Sequence, residues 1–510
     1  MGKPIGKTKF VLEDYKTFEQ KLQRCLKALE MLLEQPNFGC GNASIGAELE
    51  LYLLDADERP LPHNVAIKKQ FNDSQLTLEL NRYNLEYNLT PVPASGTPFS
   101  DLEQQILSVF RRMQELTASE CGHVLPIGIL PTLKSSDFGS EAMTDEPRYH
   151  VLADALDALR DQSFGNSHNS GISVSGISID GADAIQLARG DVTLEGACTS
   201  FQIHYRVDPS RFCTLWNSIQ LITPLVLGVS ANSPILMGHR LWHETRVPLF
   251  KQSIDGQSEI GHERQKPGRV SFGHGWLQDS PIELFQEMVN LYSPLIPICS
   301  DEDPIAIVRQ GGTPALEELC LHGGTIWSWN RPIYDPEIDP HLRIEMRALP
   351  AGPTPIDMAA NAALFIGLAE GLAKGFGGEF LPLLSALPFS YVEHNFYRAA
   401  QLGLNASVFW PSPHQNELQE TPLIDVVREL LPVAKKGLLS IGVDSKEAER
   451  MLSIIENRLD TQCNGANWQL RQFSQLLLRD LGQQEICRAL VTVYREQAVS
   501  NTPVSQWDYL

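Results

Sequence analysis

Glu48 and Glu50 stand two residues apart in IGAELELYLL, residues 45 to 54. Ile45, Ala47, Leu49 and Leu51 alternate with Gly46, Glu48, Glu50 and Tyr52, and a period of two predicts a strand with one apolar face. The two carboxylates then share the other face about 7 Å apart, where like charges repel unless something positive compensates them. Three more stretches put comparable groups on one face: Glu79 and Glu86 in LTLELNRYNLEYNLT (76 to 90), His204 beside Gln202 and Arg206 in TSFQIHYRVD (199 to 208), and Glu345 and Arg347 in HLRIEMRALP (341 to 350). Converging in space, these side chains would build the oxygen-rich wall that hard divalent cations require, since Mg2+ takes octahedral oxygen ligands and binds through carboxylates and nucleotide phosphates. Without cations, burial and repulsion would raise the pKa values until some carboxylates protonated. Arg347, two residues from Glu345, would stand where charge builds on a transferred phosphoryl group.

Taken singly, each feature has a plainer reading. A GxExE strand also suits an exposed edge, a lone His204 also suits a structural or surface group, and Glu345 with Arg347 reads as an ion pair worth about 0–1 kcal/mol if exposed. The chemistry therefore depends on elements that bring the faces together. Residues 14 to 35 place Phe18, Leu22, Cys25, Leu26, Leu29 and Leu33 at helical spacing, leading into the first strand. In 76 to 90 the apolar phase switches from even (Leu76, Leu78, Leu80) to odd (Leu85, Tyr87, Leu89), so Glu79 and Glu86 can share a face only if NRYN makes a turn or bulge. Residues 100 to 119 read as a helix, and 161 to 191, rich in Gly, Ser, Asn and Asp, as a hairpin or a mobile cover loop. After the strand at 199 to 208 come a long apolar helix through WNSIQLITPLVLGVSAN, a turn at NSP (232 to 234) and a polar loop at 251 to 269. In the strand from 341, Ile344, Met346 and Ala348 face one way and Arg343, Glu345 and Arg347 the other. From about 355 onward the pattern is helical. The expectation is an α+β catalytic body over residues 1–380 followed by a helical part over 381–510.

Composition limits the partners. The chain has 510 residues, roughly three domains' worth of material, yet one large catalytic unit with an appendage also fits. Its formal net charge of -21, with no basic stripe, argues against nucleic acid or an anionic membrane as a partner. No run of about 18 uncharged apolar residues was found, and MGKPIGKTKF lacks the apolar core of a signal peptide, so a cytoplasmic protein is expected. Nine cysteines, widely spread and without a CxxC pair, read as reduced thiols. Residues 2 to 8 resemble a phosphate loop but are one residue short and lack a preceding strand; they also fail as a myristoylation signal, since Gly6 stands where Ser or Thr is wanted.

GxExE at 46 to 50, LEYNLTP around Glu86, SFQIH ending at His204, SANSP at 230 to 234, GTIWSWNRP at 324 to 332 and IEMRALP at 344 to 350 resemble, in this order, the second family of glutamate-cysteine ligases, which is similar in fold to glutamine synthetase. The resemblance runs from roughly residue 40 to 375. It implies a curved, mainly antiparallel sheet of glutamine synthetase or guanidino kinase type, flanked by helices, whose funnel holds ATP with two or three Mg2+ or Mn2+ ions. It further implies that Glu48, His204 and Glu345 hold the metal that touches the γ-phosphate. Glu50 and Glu86, with Glu79, would hold the metals nearer the acyl-accepting site. Arg347 would contact the γ-phosphate, and Arg246 in LWHETR, or Asn330 and Arg331 in WNRP, would bind the substrate, the guanidinium clamping its carboxylate. Many members have two histidines where this chain has Gln202 and His204, so Gln202 either costs a metal ligand or contacts the nucleotide. The segment NGANWQLRQF (464 to 473) resembles the family only faintly, and the helices around it suit dimer contacts, a lid or plain core.

The chemistry implied is ATP-driven amide formation through an acyl phosphate, with the side-chain carboxyl of glutamate as acid and cysteine as amine. A ligase of the same mechanism with another amine or acid, a degenerate Mg-ATP-binding regulator and a guanidino kinase are the competing readings. Ligase and kinase differ in whether phosphate release depends on both glutamate and an amine.

Overall fold

A computed structural model describes residues 7–118, 122–163, 176–187, 192–255, 267–337, 339–376, 387–412 and 417–509. Its strands are β1 (Ser44–Leu54), β2 (Leu76–Leu78), β3 (Asn84–Pro93), β4 (His123–Leu125), β5 (Ile177–Asp180), β6 (Ala184–Leu187), β7 (Phe201–Val207), β8 (Ile235–Leu236), β9 (His239–Arg240), β10 (Asn330–Asp335), β11 (His341–Met346), β12 (Ser407–Ser412) and β13 (Glu417–Pro422). Seven of them form one curled sheet in the order β10-β11-β7-β1-β3-β2, with β4 also on β1. Every pairing in it is antiparallel, so strands far apart in the chain, β1, β7 and β11, become immediate neighbours.

The alternation read in β1 decides which face is which. Ile45, Ala47, Leu49 and Leu51 are buried together with Leu85, Tyr87 and Leu89 of β3, Ile203 and Tyr205 of β7, and Ile344 and Met346 of β11. This apolar face rests on two long helices, Phe212–Ser230 and Pro355–Ala373, which are buried almost throughout. Both are apolar enough in composition to cross a membrane, but they form the floor beneath the sheet. Tyr205 Oη reaches through to Glu370 at 2.6 Å, and Arg211 holds the other oxygen of Glu370 at 2.6 Å. The phase switch in 76 to 90 is realised as a turn at Arg82 and Tyr83, which restores Thr77 to the place opposite Glu86.

The first helix spans Leu12–Leu33 and the next long one Pro98–Thr117, each starting two residues before its expected position. Within 161 to 191 the expected hairpin is β5 with β6; the rest of the proposed cover loop, most of the polar loop at 251 to 269, Cys121 and the expected boundary at 380/381 lie outside the described residues.

The part after residue 387 is mostly helical, with the β12–β13 hairpin among its helices, and is sewn into the body. The Leu423–Ser440 helix crosses the Pro355–Ala373 helix at glycines: a Cβ on Gly437 would come within 2.0 Å of the Gly367 carbonyl oxygen, so only glycine allows the backbones this approach. Arg458, 1% exposed on its side chain, pairs with the fully buried Asp357 at 2.8 Å and donates to Asn361 at 2.6 Å. Tyr494 and Gln469 donate to Pro126 O and Asn232, joining the last helices to the SANSP turn.

Candidate active site

Register brings the polar residues together. Across β1 and β3, Glu50 lies opposite Glu86 and Glu48 opposite Asn88; across β1 and β7, Gly46 lies opposite His204 and Glu48 opposite Gln202. His204 is in turn opposite Glu345, and Glu345 opposite Arg331. Directly opposed residues point to the same side of a sheet about 5 Å apart, so the carboxylates of four strands or their ends open onto one concave face.

They sort into two groups. In the first, His204 Nε2 is 3.1 Å from Glu48 Oε1 and 3.9 Å from Glu345 Oε1. Glu345 is wholly buried; Arg331 grips it through Nε at 2.6 Å and Nη2 at 3.0 Å, and Arg347 Nη1 donates to it at 2.9 Å. Burial pushes the Glu345 carboxyl up, but Arg331, Arg347 and His204 outweigh it and hold it well below the usual carboxylate range. For Glu48 the outcome is the same: burial raises it, and the neighbouring His204 brings it below its ordinary value. The carboxyls of Glu48 and Glu345 are thus held toward their ionised forms.

The second group is Glu50, Glu79 and Glu86, one oxygen from each lying within 4.8 Å of the others. Glu50 accepts from Ser200 N at 2.7 Å and Gln202 Nε2 at 2.9 Å, and Glu86 Oε1 accepts from Asn88 at 2.8 Å and Thr77 at 3.1 Å. Burial raises all three. Repulsion from Glu86, Glu50 and Glu195 carries Glu79 well above the normal range, and repulsion from Glu48 and Glu50 brings Glu86 to about 7. Glu195, from a 3-10 turn at Val192–Ala197, adds a fourth carboxyl raised to about 8 by burial and by Glu50. Among the described residues, Arg148 acts on Glu79 and Arg347 on Glu50, but burial and mutual repulsion outweigh them.

Both groups fit divalent cations by their donor chemistry. A cation with bonds of about 2.1 Å sets ligand oxygens roughly 3–4 Å apart, so the second group needs only small side-chain rotations. In the first, His204 Nε2 is buried and lacks a well-aligned hydrogen-bond partner despite its nearness to Glu48. Two adjustments are required there: Glu345 Oε1 accepts from both Arg331 and Arg347 and must be released by one of them, and His204 must change its protonated nitrogen. Arg343 Nε donates to His204 Nδ1 at 3.0 Å, which leaves the ring proton on Nε2; a cation on Nε2 needs that proton on Nδ1 and the Arg343 contact given up.

Two expected substrate ligands do not reach the face. Arg246, 2% exposed, spends its guanidinium on Glu244 at 3.2 Å and on the carbonyls of Leu349 and Ala348 at 3.2 and 2.6 Å, so it braces the chain just past Arg347 instead of clamping a carboxylate. Asn330 points to the opposite side of β10, donating to Gln220 at 2.6 Å and Thr223 at 2.9 Å on the floor helix, because its neighbour Arg331 takes the funnel side. Arg343 and Glu195 were not singled out as site residues. Arg343 shares the parity of Glu345 and was legible from it; Glu195 sits in an irregular turn without periodicity.

The model of glutamate-cysteine ligase family 2 (GCS2) matches residues 44–485. No curated protein matches the sequence. Among solved structures, the chain is similar to glutamate-cysteine ligase from Francisella tularensis in complex with AMP, with TM-score 0.45, 11% identity, and 91% of this chain and 90% of that one covered. It is also similar to a bifunctional glutathione synthetase from Pasteurella multocida, with TM-score 0.44, 11% identity, and 96% of this chain and 56% of that one covered. A third similar structure is the complex of the prokaryotic ubiquitin-like protein Pup with its ligase PafA, with TM-score 0.38, 9% identity, and 89% and 73% covered. With a family model spanning most of its length and the acidic face of a curled sheet to match, the chain belongs to the glutamate-cysteine ligase family 2.

Proposed function

We propose that the chain is an ATP-dependent carboxylate-amine ligase that joins the side-chain carboxyl of glutamate to the amine of cysteine through γ-glutamyl phosphate. The observation that carries this reading is the convergence of Glu48, His204 and Glu345 beside Glu50, Glu79 and Glu86 on one sheet face, with Arg347 at their junction. Carboxylate is a poor electrophile, so an amine cannot attack it directly. In the first step a carboxylate oxygen of glutamate attacks the γ-phosphorus of ATP, and the bond to the β,γ-bridging oxygen breaks to release ADP. In the second the amine nitrogen attacks the acyl phosphate carbon, the C–O bond breaks, and inorganic phosphate leaves with one amine proton passing to the protein.

The chain's own residues divide these tasks. Arg347 makes both of its carboxylate and amide contacts through Nη1, which leaves Nη2 and Nε to face phosphoryl oxygens, where charge grows in both steps. Arg331 turns a second guanidinium to the same wall; Glu345 holds its Nε and Nη2, so Nη1, 3.5 Å from the Gly323 carbonyl, is the part left to meet a substrate carboxylate. Glu195, a carboxyl beside Glu50 in the acidic group, would take the amine proton only in its ionised form, which cations bound nearby would favour. Glu48, His204 and Glu345 would hold one Mg2+ or Mn2+ ion and Glu50, Glu79 and Glu86 one or two more; bound, these ions neutralise triphosphate charge and polarise the transferred phosphoryl group.

The test is ADP production by purified protein across a panel of amino acids, with the product weighed by mass spectrometry. ADP that forms only when glutamate and cysteine are both present, with a product of γ-glutamylcysteine mass, supports the reading. ADP formed with the amine alone, with a phosphorylated amine as product, would instead mark a kinase.

A further inference from the structure

We infer that Gln202 is a positioning residue that ties the two acidic groups together through Arg347, and is itself a ligand of neither cation nor nucleotide. The inference deepens the ligase reading and depends on it only for its kinetic arm. Gln202 is 2% exposed and lies opposite Glu48 in the sheet. Both ends of its amide are spent inside the wall: Oε1 accepts from Arg347 Nη1 at 2.6 Å, and Nε2 donates to Glu50 Oε1 at 2.9 Å. Arg347 fixes the amide's orientation, because a guanidinium can only donate: the amide oxygen must face it, which turns Nε2 to Glu50. The chain of contacts is continuous. Glu345 accepts from Arg347, Arg347 donates to Gln202, Gln202 donates to Glu50, and Glu50 is held at its other oxygen by the Ser200 backbone N–H.

A side chain at this place must accept on one side and donate on the other. A glutamate would turn a second negative charge on Glu50, and an aliphatic residue would leave a buried guanidinium N–H and a carboxylate oxygen facing carbon. Position 202 therefore sets where the Arg347 guanidinium lies relative to Glu50, which is the distance between the phosphoryl-facing cation and the second acidic group. A misplacement of about 1 Å in such a group can cost around 100-fold in rate.

The test is Gln202→Met in the full chain, alone and with Arg347→Met. Mn2+ binding is counted by electron paramagnetic resonance without nucleotide, ADP production gives kcat and KM, and a crystal structure shows the guanidinium. Expected for Gln202→Met are the wild-type number of Mn2+ ions, an unchanged KM for ATP, a kcat lower by about 100-fold, a displaced Arg347, and little further loss when added to Arg347→Met. Loss of one Mn2+ ion, a raised KM with kcat intact, additive losses, or an unmoved Arg347 would each overturn the inference. If the wild-type protein makes no amine-dependent ADP, the ligase reading fails, while the Mn2+ count and the position of Arg347 still decide the role of Gln202. Should the Met variant not fold, Gln202→Asn, which keeps the amide but shortens it by one methylene, is read against the same outcomes.

Discussion

Replacing Glu86 by glutamine should make the metal-free protein more stable at neutral pH and less able to hold cations. Glu86 is 7% exposed, and its carboxyl is raised from 4.5 to about 7 by burial first and then by Glu48 and Glu50. The sign follows from proton counts. Between pH 4.5 and about 7 the folded state keeps a proton that the unfolded chain has lost, so rising pH favours unfolding across that window. Each pH unit is worth about 1.4 kcal/mol, so above pH 7 ionised Glu86 withdraws roughly 3 kcal/mol from the folded state. Glutamine keeps the Oε1 that accepts from Asn88 and Thr77 but carries no charge. The assay is urea unfolding in EDTA at pH 5, 6, 7 and 8. Wild type and Glu86→Gln should differ by about 1 kcal/mol or less at pH 5 and diverge to roughly 3 kcal/mol in favour of the variant at pH 8. Saturating Mn2+ should close or reverse the gap, because cations stabilise the state that binds them. A variant less stable than wild type at pH 8 in EDTA, or a gap that does not change with pH, refutes the claim that this group collects uncompensated acid.

Glu345→Gln should leave two guanidiniums facing a neutral amide, costing about 3–5 kcal/mol of stability and about 100- to 1000-fold in turnover while the protein stays folded; near-normal ADP production would count heavily against its role. Arg343→Met removes the donor to His204 Nδ1 and a positive charge, so Mn2+ affinity measured by calorimetry should rise several-fold, and an unchanged or weaker affinity would mean His204 needs no release from Arg343. Asn330→Ala should lower stability by about 1 kcal/mol without altering KM for any substrate, since its amide serves the floor helix; a KM shift would return it to the substrate side. Arg458→Met strands the buried Asp357 carboxylate and should cost about 3–5 kcal/mol in urea unfolding, against less than 1 if the C-terminal helices were a loosely attached appendage.

The faces were legible in the sequence because a strand's period of two is a local property: Glu48 with Glu50, and Glu345 with Arg347, could be put on polar faces from spacing alone. The same rule exposes the error at Asn330, since two consecutive strand residues cannot both serve one face and Arg331 already claimed it. The opposition of β1 to β7 and of β7 to β11 is nonlocal, and no spacing within 44 to 54 says that residue 204 will stand across from Gly46. The family motifs supplied the grouping that spacing could not. Arg246 misled because an arginine in a motif reads as a ligand, whereas its burial against Glu244 and two carbonyls is a matter of tertiary packing that hydropathy does not encode. Glu195 was invisible for the converse reason: a 3-10 turn has no periodic face, so its carboxyl enters the acidic group only once the turn before β7 is folded against β1. The electrostatic division follows from that folding. Arg331 and Arg347 keep the Glu345 side ionised, while on the β2 and β3 side the pull of Arg148 on Glu79 is outweighed by burial and mutual repulsion, which is the condition a cation would exploit.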